Sequence, residues 1–155
     1  MDTNSPFQLR EASLAELLWV HQRILEFPGK ASLSFYQERL QHRLSFALVA
    51  IWEGELAGFK VGYQSELPET FYSWMGGVRA EFRGKGIATA AVALMLEAIK
   101  KNKEIVRIEA KIFGGNGASA RVLEKNNFVL EGTRKNAIYK NGVIADEQVW
   151  VYLVA

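Results

Sequence analysis

Residues 83–89, Arg-Gly-Lys-Gly-Ile-Ala-Thr, set two cations and two glycines where an extended segment gives way to an apolar helical one. A helix N-terminus offers unpaired N–H groups and positive dipole potential, so its first turn favours acidic residues over basic ones. Arg83 and Lys85 invert that preference. The inversion has a use if an anion of phosphate type lies against the free N–H groups, with Gly84 and Gly86 permitting close backbone approach. On the loop alone, a tight turn with two solvated cations fits equally well. Two other phosphate-binding patterns fail on single residues. A P-loop requires Ser or Thr after the Gly-Lys pair, where Gly86 stands, and a dinucleotide fingerprint counted from Gly84 requires Gly or Ala where Thr89 stands.

A second spacing comes later in the chain. Asn116, Ser119 and Leu123 stand at i, i+3 and i+7, so a helix over residues 116–126 carries all three on one face. A serine in a first helical turn, as Ser119 is here, commonly serves as a local backbone partner. Candidate proton acceptors are scattered. Glu66 and Glu69 precede an extended segment, Tyr72 and Ser73 lie inside it as possible relays through water, and Asp146 and Glu147 sit near the end, where they would attract a cationic amine. Each of these carboxylates also fits a solvated turn or hairpin position, and Tyr72 fits packing beside Phe71 and Trp74. His21 and His42 fall on expected helices and read as structural or exposed. Without cysteine there is no disulfide and no thiolate chemistry, and two histidines leave little for a metal, so no metal is expected.

The elements that must position these groups follow from periodicity and breakers. Residues 7–11 read as an edge strand; Ser13 and Glu16 have the spacing of a capping box ahead of a first helix carrying Leu17, Leu18, Val20, Ile24 and Leu25. Residues 27–29 break it, and residues 32–44 read as a second helix. Residues 46–52 and 56–64 form a hairpin, and residues 70–78 add a third strand whose Gly76-Gly77 pair marks a bulge, a close approach or a break in the sheet. A buried helix over residues 86–100, a strand over 105–113 and the short helix over 116–126 follow, with Asn127 suited to a left-handed helix end. Residues 128–139 and 143–154 flank Asn141-Gly142, the strongest short hairpin signal in the chain.

Composition narrows the function classes. With 155 residues and 49% hydrophobic content the chain can bury one sizeable core, and a single domain over residues 1–155 is expected. A net charge of +2, with no basic stripe interleaved with aromatics, argues against nucleic acid or a membrane surface as partner. Residues 1–4 lack the features of a secretion signal and no apolar run approaches a membrane span, so a cytoplasmic protein is expected.

Residues 83–88 match the Arg/Gln-x-x-Gly-x-Gly/Ala motif of the GNAT acetyltransferases, in the strand-to-helix setting that motif requires. Residues 116–128 resemble the second motif of that family, most closely in its RimJ/RimL-like branch, which acetylates protein N-termini. The resemblance covers residues 70–154 well, whereas the first 45 residues share only the order of elements. It implies an α/β fold, α+β in its layering. A mixed, mostly antiparallel sheet of about seven strands would be flanked by about four helices and splayed beside the cofactor loop. It implies acetyl-CoA as cosubstrate and direct attack on its thioester by a primary amine, either a protein N-terminus or a small amine or polyamine. Gly76, Gly77 and Val78 would pair with the pantetheine arm, and Arg83, Gly84, Lys85, Gly86, Ile87, Ala88 and Thr89 would bind the pyrophosphate. Asn116 would contact the pantetheine end.

Two departures from the family pattern matter. Leu123 stands where many members have a tyrosine that protonates the leaving thiolate; the RimJ/RimL-like branch has a serine one turn earlier, and Ser119 matches it. Asn127 replaces the usual glycine and tolerates the same left-handed backbone. A thiol pKa near ~8.5 makes the thiolate a fair leaving group, so a hydrogen bond from Ser119 or water suffices, and backbone N–H near Gly77 or Val78 would polarise the thioester carbonyl. Glu69 is a possible base. A catalytically silent acyl-CoA-binding module is the alternative, motivated by Leu123 and the missing obvious base. Exposed backbone at the last hairpin makes a homodimer possible.

Overall fold

Seven segments rich in β-branched and aromatic residues form one sheet, and the apolar periodic segments between them form helices on its two faces. The computed structural model describes residues 6–27, 31–140 and 142–154. In chain order the elements are β1 (Phe7–Glu11), α1 (Leu14–His21), α2 (Leu33–Leu40), β2 (Ser45–Trp52), β3 (Glu55–Gln64) and β4 (Thr70–Val78). After a short 3-10 turn (Ala80–Phe82) come α3 (Ile87–Ile99), β5 (Arg107–Phe113), α4 (Gly117–Lys125), β6 (Val129–Lys140) and β7 (Val143–Leu153). The sheet order is β1-β2-β3-β4-β5-β7-β6, and every pairing is antiparallel except β4 with β5. This mixed, mostly antiparallel sheet with four α-helices is the architecture the resemblance implies.

Alternation along the strands divides the core in two. On one face α1 and α2 bury Leu17, Val20, Ile24 and Tyr36 against Val49, Phe59 and Val61. On the other, α3 and α4 bury Val92, Met95, Leu96, Ile99 and Leu123 against Phe71, Ile108, Ile112 and Trp150. Each such side chain contributes about 1.5–3 kcal/mol by leaving water.

Several boundaries move for reasons outside local sequence. The first helix stops at His21, short of Leu25, because Ile24 and Phe27 turn over through i→i−3 backbone bonds to pack on Gly77. Leu25 is left almost fully exposed. The second helix ends at Leu40 rather than residue 44: His42 takes φ +60°, outside any helix, and the Leu44 carbonyl accepts from Gln64 N–H at the mouth of β2–β3. Gly76 and Gly77 pair in register with Lys60 and Phe59, so the bulge is elsewhere. The register shifts between Val61 and Tyr63, beside Gly62, where a Cβ would lie 2.6 Å from the Phe71 ring. Gly77 serves close approach instead, since a Cβ there would lie 2.6 Å from Ile24 Cδ1. Asn127 has φ +66°, as expected of the residue closing α4. Asn141, in the last hairpin, lies outside the described residues.

Candidate active site

The loop between β4 and α3 turns twice through the left-handed region, at Gly84 (φ +76°) and Gly86 (φ +82°). An L side chain there would be strained, which is why both positions are glycine. No protein atom lies within 4 Å of a Cβ built on either one, so the space above the loop is open. Gly86 caps α3 without a side-chain hydrogen bond, no acidic residue occupies the first turn, and the first intrahelical bond here joins Ala90 N–H to the Gly86 carbonyl. The N–H groups of residues 86–89 therefore face outward at the positive end of a 13-residue helix.

Both cations of the loop are held nearby by weak partners. Arg83 donates Nε to the Val78 carbonyl at 2.9 Å and pairs through its outer nitrogen with Glu26, both side chains being well exposed. Lys85 Nζ sits 4.7 Å from the centre of the Trp52 ring. Exposed ion pairs of this kind are worth ~0–1 kcal/mol, so a multiply charged phosphate competes readily for them. The open cradle, the free N–H groups and the two cations fit a pyrophosphate.

Beyond the loop the sheet forks. β4 and β5 pair only through Thr70↔Arg107, Phe71↔Ile108 and Tyr72↔Glu109; β4 then continues to Val78 on β3 and β5 to Phe113 on β7 without pairing with each other. Ser73, the first residue past the fork, is buried with a hydroxyl that has no hydrogen-bond partner. An orphaned buried hydroxyl costs about 1–3 kcal/mol, which a ligand entering the fork would relieve.

On the face away from α3 an open pocket of about 640 Å³ lies against the fork. Tyr63, Tyr72 and Trp74 form one wall, Glu109, Lys111 and Phe113 of β5 the other, and Arg39 and Arg43 the rim beside α2. Glu147 of β7 reaches it as a nearly buried carboxylate, accepting 3.1 Å from Nη1 of the exposed Arg134. Burial pushes the Tyr72 phenol up to about 12, with Tyr63, Glu147 and Glu109 adding in the same direction, so it stays a neutral donor at pH 7.

A family model described as an acetyltransferase (GNAT) domain matches residues 15–129. The chain belongs to the GNAT acetyltransferase family. It is 32% identical over 123 residues to the probable N-acetyltransferase YjcK of Bacillus subtilis, covering 76% of this chain and 67% of that protein. It is 30% identical over 114 residues to the L-amino acid N-acetyltransferase AaaT of Escherichia coli, covering 72% and 70%. Among solved structures, the ribosomal L7/L12 N-protein acetyltransferase RimL in complex with coenzyme A superposes with a TM-score of 0.77. That match has 20% identity and covers 97% of this chain and 96% of that one, a likeness of fold.

In this GNAT chain the other expected residues are distributed unevenly. Asn116 caps α4 by accepting from Ser119 N–H at 3.1 Å, and the half-buried Ser119 shares its face with the buried Leu123. Asn126, not singled out from sequence, donates to the Thr89 carbonyl at 3.2 Å and so ties α4 to the first turn of α3. Glu69 is exposed in the turn before β4, at the opposite end of that strand from Val78, with its carbonyl accepting from Val106 and Arg107. Glu66 is exposed at the pocket rim. Asp146 is committed to the β6 bulge: the Asn136 N–H and then Lys135 bond it and hold its carboxyl below the usual range. His21 is buried in an aromatic cluster with Nδ1 2.5 Å from the Tyr36 hydroxyl, and burial lowers its pKa. Among the described residues no group of acids and histidines could hold a metal, and no helix is long and apolar enough to cross a membrane.

Lys60 is the unexpected buried charge. Phe59 and Val61 face α1, so Lys60 faces α3, with its stem laid across Gly76. Burial lowers its pKa from the ordinary 10.5 to about 7. The unfolded chain therefore takes up a proton as pH falls below ~10.5 while the folded chain does so only near 7. Stability contributed by this position drops across that window and levels off below it. Replacing Lys60 by Met should stabilise the protein at pH 7 by about 4 kcal/mol. In urea titrations the gap between variant and wild type should close as pH rises to 10; a gap independent of pH would contradict this origin.

Proposed function

We propose that the protein transfers the acetyl group of acetyl-CoA to a primary amine that reaches the fork from the pocket face. The observation that carries this reading is the fork itself. It joins an anion cradle at the start of α3 to a polar pocket on the opposite face of the sheet. The names of the relatives support an amine acceptor, whether an amino acid for AaaT or a ribosomal protein for RimL.

In this reading residues 83–89 hold the pyrophosphate, and Gly76, Gly77 and Val78, paired with β3 on one side, bond the pantetheine arm along the edge turned towards β5, with Asn116 near its end. Acetyl-CoA supplies an activated thioester. The acceptor nitrogen forms a bond to the thioester carbonyl carbon, the C–S bond breaks with its electron pair going to sulfur, and the nitrogen gives up one proton. Glu147 takes that proton, being the most buried carboxylate on the pocket wall, with Glu109 beside the fork as the second carboxylate. Glu69, the base expected from sequence, is exposed in the turn before β4 and does not line the pocket, so Glu147 is preferred for the part. The departing sulfur takes a hydrogen bond from Ser119 or water. An α-amino group, with pKa near ~8, needs less help to shed its proton than a lysine-like amine near ~10.4.

Calorimetric titration with acetyl-CoA should show saturable binding that the double variant Arg83→Ala, Gly86→Asp loses; a folded wild type that binds nothing refutes the cofactor site. With binding established, Glu147→Gln should leave acetyl-CoA affinity intact and lower amine-dependent thiol release by about 10²–10⁴-fold. Binding without any amine-dependent thiol release would favour a silent acyl-CoA-binding module.

A further inference from the structure

The pocket's charges are unevenly satisfied. Among the described residues its two carboxylates on the sheet are ion-paired, Glu109 with Arg107 at 3.0 Å and Glu147 with Arg134 at 3.1 Å, while the exposed Glu66 at the rim is not. Its three cations have no carboxylate partner among the described residues. Arg39 donates to the Tyr63 hydroxyl at 3.1 Å and lies 5.4 Å from the Trp74 ring centre, Arg43 lies 5.0 Å from Tyr63, and Lys111 lies 5.6 Å from Tyr72. Aromatic faces hold these groups in place without neutralising them, at about 0.5–1 kcal/mol each where solvent reaches. Guanidinium groups converging on one cavity match a planar carboxylate in a bidentate fork, and a carboxylate is the anionic group that every free amino acid carries beside its amine. A polyamine would bring more positive charge to the same wall.

We propose that Arg39 and Arg43, assisted by Lys111, form a carboxylate-binding subsite, so that the acceptor is a free amino acid rather than a polyamine or a peptide N-terminus. The inference rests on the acetyl-transfer reading above and adds what the acceptor must carry. The carboxylate is held at the α2 rim, the side chain lies along Tyr63, Tyr72 and Trp74, and the amine points to the fork and Glu147. The amine and carboxylate of one amino acid are then separated as Glu147 is from the two arginines beside α2.

The test compares acceptors that differ only in the carboxylate. With saturating acetyl-CoA, thiol release is measured for L-methionine and L-phenylalanine against their amides, with spermidine and an amidated tripeptide alongside. The free acids should exceed their amides at least tenfold in kcat/KM. Arg39→Gln and Arg43→Gln should each raise KM for the acids at least tenfold with little change in kcat or in the amide's KM, and Arg39→Lys should recover part of the loss. Amides, spermidine or the peptide turning over as well as the acids would overturn the subsite while leaving acetyl transfer standing. If no acceptor releases thiol, L-methionine is titrated calorimetrically into the acetyl-CoA-loaded protein. Binding lost in the Arg39→Gln, Arg43→Gln double variant supports the subsite although the transfer reading fails; no binding overturns both.

Discussion

The pairing between β4 and β5 ends at Tyr72, and the rest of the site depends on that ending. A parallel pair carried on to Phe113 would seal the sheet and separate its two faces. Ended early, it leaves the inner edges of both strands with unused N–H and C=O groups, which buried backbone does not tolerate without partners. A cosubstrate arm made of amides can satisfy them as a neighbouring strand would. The devices that keep the fork open are local. The β3–β4 bulge beside Gly62 shifts β4, Phe71 anchors its last paired turn in the α3 core, and Ile24 packs on Gly77 to hold the free half of β4 against α1.

The charged groups at the two open regions are only weakly committed to partners. At the α3 cradle, Arg83 pairs with an exposed glutamate and Lys85 rests on Trp52, partners worth little in water. At the pocket, Glu147 is nearly buried and bonded by a single exposed arginine, so its carboxylate faces the cavity with bonding capacity to spare. Lys60 is the opposite case. A charge under α3 with its amine desolvated weakens the fold at neutral pH, and the stem that covers Gly76 explains its packing though not why the amine is retained.

How much of this was legible depended on range in sequence. The open loop before α3 could be read because its residues are contiguous: a helix start with two cations, two glycines and no acid is anomalous without any tertiary information, and the left-handed glycines and uncapped helix end are there. The element order, the three-strand meander and the left-handed Asn127 are also local properties, and they stand as expected. Helix ends at His21 and Leu40 moved because Ile24 and Leu44 answer to distant partners, Gly77 and Gln64. The pocket was legible only in scattered residues, Glu66, Tyr72 and Glu147, since it assembles α2, β3, β4, β5 and β7, residues 39 to 147, and nothing in the local sequence of Arg39 or Arg43 marks them as converging. Asp146 and Glu147, adjacent and alike in sequence, part on folding: one holds a bulge at the surface, the other turns inward.

The most direct test of the central claim is a crystal structure with acetyl-CoA bound. The account predicts the pyrophosphate on the N–H groups of residues 86–89, the pantetheine arm bonded to β4 between Met75 and Val78, and the thioester in the fork beyond Tyr72 and within reach of the pocket. A cosubstrate bound with its thioester outside the fork, or β4 and β5 closed on each other in the complex, would contradict it.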